Sequence, residues 1–537
     1  MRIENFHDEK DRGTRFDPRW VLLIATVLGL VWRMRILCGD LDTILPVYGS
    51  DDLFYFTQIA HFWGQNGWPS IDGLSVTTGF QPLFAILLVP FASGFAGAPL
   101  LALRVSLGLV SLLTVVTAWS LPGMFKPLLG PYRGRWAGVM LGCLWLLHPR
   151  ILEVTFQGTE AALAVLCLVW SVRVWFRQKP NPKAALGFGL LLGLGCLARI
   201  DQLVLAACLI AWPAKPDWRW PSRVWSLLGL GLVLAPWVLY SVWLTGSPLQ
   251  DSGRAKRLQY RHIQTRALVS GGSGQPSPDF GDLFEFKARQ ALRIPPSLWR
   301  IHGRSSYLSM LGWVAFCFWL CFLGIARRDQ LLGLWQALCG IFPPGLAAFA
   351  VVGAYWLVLG SLRSWYYMPA HLVLGVVAVT AWIAILKPWQ SKRRVLVLCG
   401  ILTLWLTGAM VESQLEKPFR WEPVYHRAAI DLQARIPAGA RIGAFNAGIQ
   451  AATASHGRQV VNLDGVVNHD ALGALENRQI TDYLLRNRIE YLIDHRGAID
   501  FYEDLGGPGL SDHLRLLTCF PVPERPAQAL CLWKVVR

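Results

Sequence analysis

Apolar stretches long enough to cross a bilayer alternate with short polar connections over the first three quarters of this 537-residue chain, and then the pattern changes. A span needs about 20 apolar residues. Eleven segments are read as crossings: 20–37, 99–122, 136–153, 160–176, 185–199, 202–214, 224–244, 306–325, 331–358, 367–387 and 394–411. The segment 80–97 is also apolar, but Pro90 and Ser93-Gly94 interrupt it. It is expected to dip in without crossing, or to form the broken first half of the next span. From about residue 413 the runs RIGAF, QVVNL and EYLID stand between turn residues and helical stretches, as in a small α/β domain. LRLLTCF and ALCLWKVV read as a terminal strand pair. The expectation is an all-α polytopic membrane bundle of about eleven spans with a small C-terminal α/β domain.

Composition agrees. Hydrophobic residues make up 53% of the chain and charged ones 16%, and the mean hydropathy is +0.38, values that belong to membrane proteins. The net charge of +17 does not point to nucleic acid, because Lys and Arg collect in short loops. The polar N-terminus, Lys126/Arg133/Arg135, Arg173/Arg177/Lys179, Lys215/Arg219/Arg223, Arg327/Arg328 and Lys387/Lys392/Arg393/Arg394 fall on one side, as the positive-inside rule requires. That sets residues 1–19 in the cytoplasm and 20–411 as the transmembrane domain. Loops 38–79 and 245–305 and the domain 412–537 then lie outside the cytoplasm. Most of the 11 Cys lie in apolar spans as small core residues. Cys519 and Cys531 either pair in an oxidising compartment or remain free.

Candidate chemistry gathers on the outer side. Asp51 and Asp52 precede an amphipathic helix with Leu53, Phe56, Ile59 and Trp63 at helical spacing. They could cap that helix. They could instead supply a general base, one carboxylate raising the pKa of the other. Glu160, in HPRILEVTFQGTE, is either a helix-N-terminal acid or a second functional acid. Arg199 and Asp201, in LARIDQ, are expected to pair with each other. Arg254, Lys256, Arg257, Arg261 and His262 run against the positive-inside trend and suit a lipid phosphate. Arg363 is placed with them, whereas an aromatic belt accounts for Tyr366 and Tyr367. Arg33 and Arg35 either snorkel or face an anion. No Walker loop, dinucleotide fingerprint, HExxH, CxxC or GxSxG occurs. An enzyme working outside the cytoplasm without a nucleotide site needs an activated donor that arrives in the membrane.

The stretch SDD-FYF-QIA…G…DG…TTGFQPL resembles the first extracytoplasmic loop of GT-C-fold glycosyltransferases, in particular bacterial members carrying DDAYYYLxIA…TNGFHPLW. HPR…GTE is similar to their second-loop acid motif. GSP…SGRAK, RSWYY and VVNLDGVVN…DYLLRNRIEYLID look like their later features, so the likeness runs from about residue 20 to 495. The resemblance implies a GT-C-like bundle that moves a sugar from a polyprenyl-phosphate donor to an extracytoplasmic glycan, lipid or protein, with inversion. It implies Asp51 as the catalytic carboxylate, Asp52 as its neighbour for acceptor or metal binding, and Glu160 as the second-loop acid. Around them it groups Thr78, Gln81, His148, Arg254, Lys256, Arg257, Arg363, Tyr366 and Tyr367 as substrate contacts. Thr78 and Gln81 stand where relatives have Asn and His. No cofactor is required, with a divalent metal left open. The setting implied is the bacterial cytoplasmic (inner) membrane, with the active site facing outward. Two alternatives remain: a transporter or flippase of lipid-linked saccharides, against which stand the missing inverted repeats, and a non-catalytic subunit of an envelope assembly complex.

Overall fold

The computed structural model describes residues 17–46, 48–95, 98–177, 181–212, 220–270, 339–351, several positions between 369 and 380, 421–522, 525 and 528–537. Among the described residues, three helices are long and apolar enough to cross a membrane: α1 (Arg19–Leu37), α5 (Pro99–Leu129) and α11 (Trp220–Thr245). A short helix, α2 (Leu41–Ile44), follows α1. Along α1, Leu22, Ala25, Gly29 and Arg33 turn inward. Trp20, Ile24, Val27 and Val31 are exposed on its other side. An exposed apolar face of this kind suits lipid rather than water.

Helices α6 (Pro131–Leu147), α8 (Ala161–Arg177) and α9 (Pro182–Ala198) have 17 residues each, the lower limit for a span. The expected crossing 136–153 is not one helix. α6 stops at His148, whose backbone is extended, because Pro149 disfavours helical geometry in the residue before it. α7 (Pro149–Thr155) then restarts the chain. α10 (Gln202–Ala211) has only ten residues, about half a span. The apolar segment after residue 80 is broken into α4 (Pro82–Leu88) and a six-residue 3-10 turn (Val89–Gly94). Neither piece is long enough to cross. The expected spans 306–325 and 394–411 lie outside the described residues. Spans 331–358 and 367–387 are described in part, the former as α13 (Cys339–Val351).

Part of the loop expected at 245–305 is helical: α12 (Asp251–Ser270). The C-terminal region is an α/β domain. α14 (Glu422–Gln433) precedes β1 (Arg441–Ala444), α15 (Gly448–Thr453), β2 (Gln459–Asn462), α16 (His469–Glu476) and α17 (Ile480–Arg486). β3 (Tyr491–His495), α18 (Arg496–Gly506), β4 (Leu514–Phe520) and β5 (Leu530–Val535) complete it. The sheet order is β2-β1-β3-β5-β4. β2, β1 and β3 are parallel, and β5 and β4 close the edge antiparallel. Cys519 and Cys531 face each other across that last ladder and form a disulfide.

The sheet is covered on both faces, as parallel sheets are. On one face Val461, Leu492 and Trp533 pack under Leu475, Leu484 and Ile499. On the other, Ile442, Val460 and Ile493 join a core shared with Leu53, Phe54, Phe56 and Phe84 of the membrane-side helices. The domain is thus seated on α3 (Asp51–Asn66) by continuous apolar packing.

Candidate active site

The N-terminus of α3 is where bundle and domain meet. Its cap is Ser50, whose hydroxyl accepts a bond from the Leu53 amide at 3.3 Å. The capping role considered for the acids therefore falls to Ser50. Asp51 and Asp52 occupy the first turn, where the helix dipole favours negative charge. Asp51 turns toward the domain and accepts bonds from the amides of Ile449 at 2.8 Å and Gly448 at 3.3 Å. The Tyr55 side chain also bonds it, and the Tyr55 hydroxyl takes the Ala447 amide at 3.2 Å. Burial pushes the Asp51 carboxyl up to about 7, against the pull of the Ile449 amide, and the neighbouring Asp52 adds to the rise. The Asp52 carboxylate forms no hydrogen bond among the described residues. It lies within electrostatic reach of Asp51, Glu160 and Asp464.

Position 448 has to be glycine. A Cβ there would lie 2.4 Å from the main-chain oxygen of Asp51 and 2.7 Å from its carboxylate. Gly448→Ala is expected to displace the carboxylate from its seat and to lower activity with little change in membrane insertion. An activity assay beside a detergent-stability assay checks this. Full activity in a normally folded Gly448→Ala protein would show that the seat is not needed.

The opposite wall comes from the membrane helices. Glu160 stands just before α8, and Arg199 and Asp201 lie in the turn between α9 and α10. Arg199 donates to Glu160 at 2.7 Å and to Asp201 at 2.6 and 3.0 Å, and its side chain is 4% exposed. The expected Arg199–Asp201 pair exists, with Glu160 as a third member. Two buried atoms beside Glu160, Gln157 Oε1 and Thr159 Oγ1, have no hydrogen-bond partner among the described residues.

Thr78 is buried, and its amide and hydroxyl donate to Asp251 at 2.9 and 3.1 Å. Asp251 also meets His469 Nδ1 at 2.9 Å. Thr78 therefore ties the first loop to α12 and α16. Gly79 permits that contact, because a Cβ there would lie 1.8 Å from the Val466 carbonyl oxygen. Gln81 accepts from the Ile200 amide at 3.3 Å and from Gln250 at 3.4 Å, next to the Arg199 turn. His148 marks the joint between α6 and α7.

The basic residues of α12 divide. Arg254 pairs with Glu476 at 2.6 Å. His262 and Arg266 both meet Asp504. Lys256 is exposed and donates to Gln259 at 3.2 Å, within electrostatic reach of Asp464. Arg257 and Arg261 are exposed. Arg363, Tyr366 and Tyr367 lie outside the described residues. Arg33, in α1, is buried and donates to the carbonyls of Gly29 and Leu146 at 3.0 and 3.1 Å.

Sequence reading missed Asp464 and Tyr55. Asp464 follows β2, and the start of α15, just after β1, supplies the 447–449 amides. The site thus lies at the carboxyl ends of the parallel strands, where α/β sheets bind ligands. An acid just beyond the strand in QVVNLDG was the available signal. Burial pushes Asp464 up to about 6, with Lys256 opposing. Among the described residues no group of three His, Cys, Asp or Glu side chains is placed to hold a metal ion.

No protein-family model matches the chain, and no curated relative matches its sequence. Its fold matches solved membrane-protein structures. ArnT from Cupriavidus metallidurans in the apo state superposes with a TM-score of 0.54 at 12% identity, over 96% of this chain and 98% of that one. The same protein bound to undecaprenyl phosphate gives 0.52 at 13%, over 97% and 98%. The oligosaccharyltransferase AglB from Archaeoglobus fulgidus, in complex with an inhibitory peptide and a dolichol-phosphate, gives 0.52 at 11% identity, over 94% and 73%. The chain has the GT-C fold that its first loop resembles.

Proposed function

We propose that the protein is a membrane glycosyltransferase that moves a sugar from a polyprenyl-phosphate donor to an acceptor hydroxyl on the outer side of the cytoplasmic membrane. The observation that carries this reading is Asp51, a carboxylate held by the Gly448 and Ile449 amides with burial pushing it up to about 7. A base with a pKa near the working pH is the most effective one. Support comes from the GT-C fold, from neighbours that bind undecaprenyl phosphate and dolichol-phosphate, and from the unpartnered atoms of Gln157 and Thr159.

In the reaction, Asp51 takes the proton of the acceptor hydroxyl as its oxygen attacks the anomeric carbon. The bond from that carbon to the phosphate oxygen breaks, and both electrons leave with the lipid phosphate. A phosphate is a stable leaving anion, so no strong general acid is needed. Displacement from the opposite face inverts the anomeric centre. Asp52, half-exposed beside Asp51, orients the acceptor. Glu160 fixes Arg199 at the mouth of the bundle. Lys256 and Arg257, with Arg363, neutralise the growing phosphate charge. Thr78, Gln81 and His148 belong to the walls around the substrates, with Tyr366 and Tyr367 as aromatic contacts.

The test is to give the purified full chain a labelled polyprenyl-phosphate sugar and look for transfer. Movement of the label across vesicles without transfer would favour a flippase instead. Lys256→Gln and Arg257→Gln should each weaken donor binding by about 1.5–3 kcal/mol, the range for a hydrogen bond to a charged group. Unchanged donor affinity in both would remove them from the site.

A further inference from the structure

A cavity of about 320 Å³ opens at the end of the bundle away from the candidate active site. Three helices lead from the candidate active site to it. The C-terminal end of α1 is tied to α5 near the site, where Arg104 donates to the Leu37 carbonyl at 2.8 Å. Its N-terminal residue, Arg19, lines the cavity. α5 begins near the site and ends at the cavity with Gly123 and Lys126. α8 begins beside Glu160 and ends at the cavity with Arg173 and Arg177, roughly 25 Å further on at 1.5 Å per residue. Arg135 of α6 completes a set of five cations.

Among the described residues, no carboxylate lines this space. Asp17 pairs with a lining residue: its carboxylate accepts from the Arg19 amide and lies 4.0 Å from the Arg19 guanidinium. Arg173 and Arg177 are four residues apart on one helix, a spacing at which like charges repel. Arg173 is half-buried. Its guanidinium lies against Gly123, where a Cβ would come within 2.7 Å of it. The positive-inside rule accounts for basic residues on this side of the membrane. It does not account for five of them, with Arg173 half-buried and the other four exposed, converging on one open cavity between four helices. Such a cluster is stabilised by a bound anion, and basic pockets between helices at the cytoplasmic face take phosphate headgroups. The volume lies within the range of small-ligand sites, about 300–1,000 Å³.

We infer that this cavity is a binding site for a phosphate-bearing anion at the cytoplasmic face, with an anionic phospholipid headgroup as the source that its position between helix ends favours. The site is separate from the glycosyl-transfer reading and stands whether or not that reading holds.

The test uses the full chain in nanodiscs of phosphatidylcholine containing phosphatidylglycerol. Lipid retained on release is measured by native mass spectrometry. A parallel arm measures protection of the detergent-solubilised chain by inorganic phosphate against thermal unfolding. Wild type should retain phosphatidylglycerol over phosphatidylcholine. The double variant Arg173→Gln/Arg177→Gln should lose that preference by at least about tenfold, the factor one charge-assisted contact supplies. Gly123→Ala, which moves the guanidinium without changing net charge or topology, should weaken retention in the same direction. Lys183→Gln, a basic residue of this side outside the cavity, should change nothing. If phosphate protects and phosphatidylglycerol is not retained, the site holds and its source is a soluble anion. Equal retention by wild type and both cavity variants, with no phosphate protection, overturns the inference. So does a loss in Lys183→Gln as large as in the double variant.

Discussion

Asp51→Asn is expected to fold, insert and lose transfer by about 10²–10⁴-fold, the usual contribution of a general base. Asn keeps the size of the side chain and still accepts one of the two amide bonds from Gly448 and Ile449. Helix capping is unaffected, because Ser50 is the cap. What disappears is proton acceptance. Transfer by the wild-type protein should accordingly rise with pH through about 7, the value to which burial lifts Asp51, and level off above it.

Stability should move the other way. Asp51 has a folded pKa above its unfolded value, so the fold holds its proton more tightly. That contribution is fully present below the unfolded value of about 3.9 and is lost as pH rises through about 7. Asp51→Asn should therefore be more heat-stable than wild type above pH 7, and no more stable below pH 4. An inactive variant with greater alkaline stability separates lost chemistry from lost folding. Asp52→Asn should be milder. If Asp51→Asn turns over normally and Asp52→Asn is dead, the base is Asp52, whose carboxylate is free of hydrogen bonds among the described residues. Full activity in both would end the proposed mechanism.

Arg199→Gln is expected to be the most destabilising single change at the site. It removes the cation between Glu160 and Asp201 and leaves two acids in a pocket where their side chains are 8% and 11% exposed. Breaking a buried pair by deleting one partner costs about 3–5 kcal/mol, because the remaining charge has no counterion. Arg199→Lys should rescue little, since one ammonium cannot reproduce the fork that meets Asp201 through two nitrogens and Glu160 through a third. Thermal unfolding in detergent reads the effect. A wild-type midpoint for Arg199→Gln would show that the triad carries no stability. The double change Glu160→Gln/Arg199→Gln should recover part of the loss, because it removes one of the stranded charges.

Local pattern settled much of this protein. Apolar length gave α1, α5 and α11, alternating strand and turn signals gave the five-stranded domain, and Asp51 and Asp52 stood out as paired acids before an amphipathic helix. These features depend on residues near each other in the chain, which periodicity and turn chemistry report directly. Pro149 is equally local, and although apolar length alone reads 136–153 as one span, α6 ends at His148 because of it. The helical character of 251–270 was hidden for another reason. A helix whose Arg254, His262 and Arg266 are matched by Glu476 and Asp504 carries no strong apolar stripe to announce it.

Tertiary structure alone decided what the acids meet. Asp51 and the amides that hold it are separated by almost 400 residues, Thr78 and Asp251 by 173, and Glu160 and Arg199 by 39. No short-range pattern encodes such pairings. They arise because an apolar core shared by α3 and the sheet brings the domain down onto the bundle. Burial at that junction shifts the carboxyls, and burial is a property of the assembled fold rather than of any one segment.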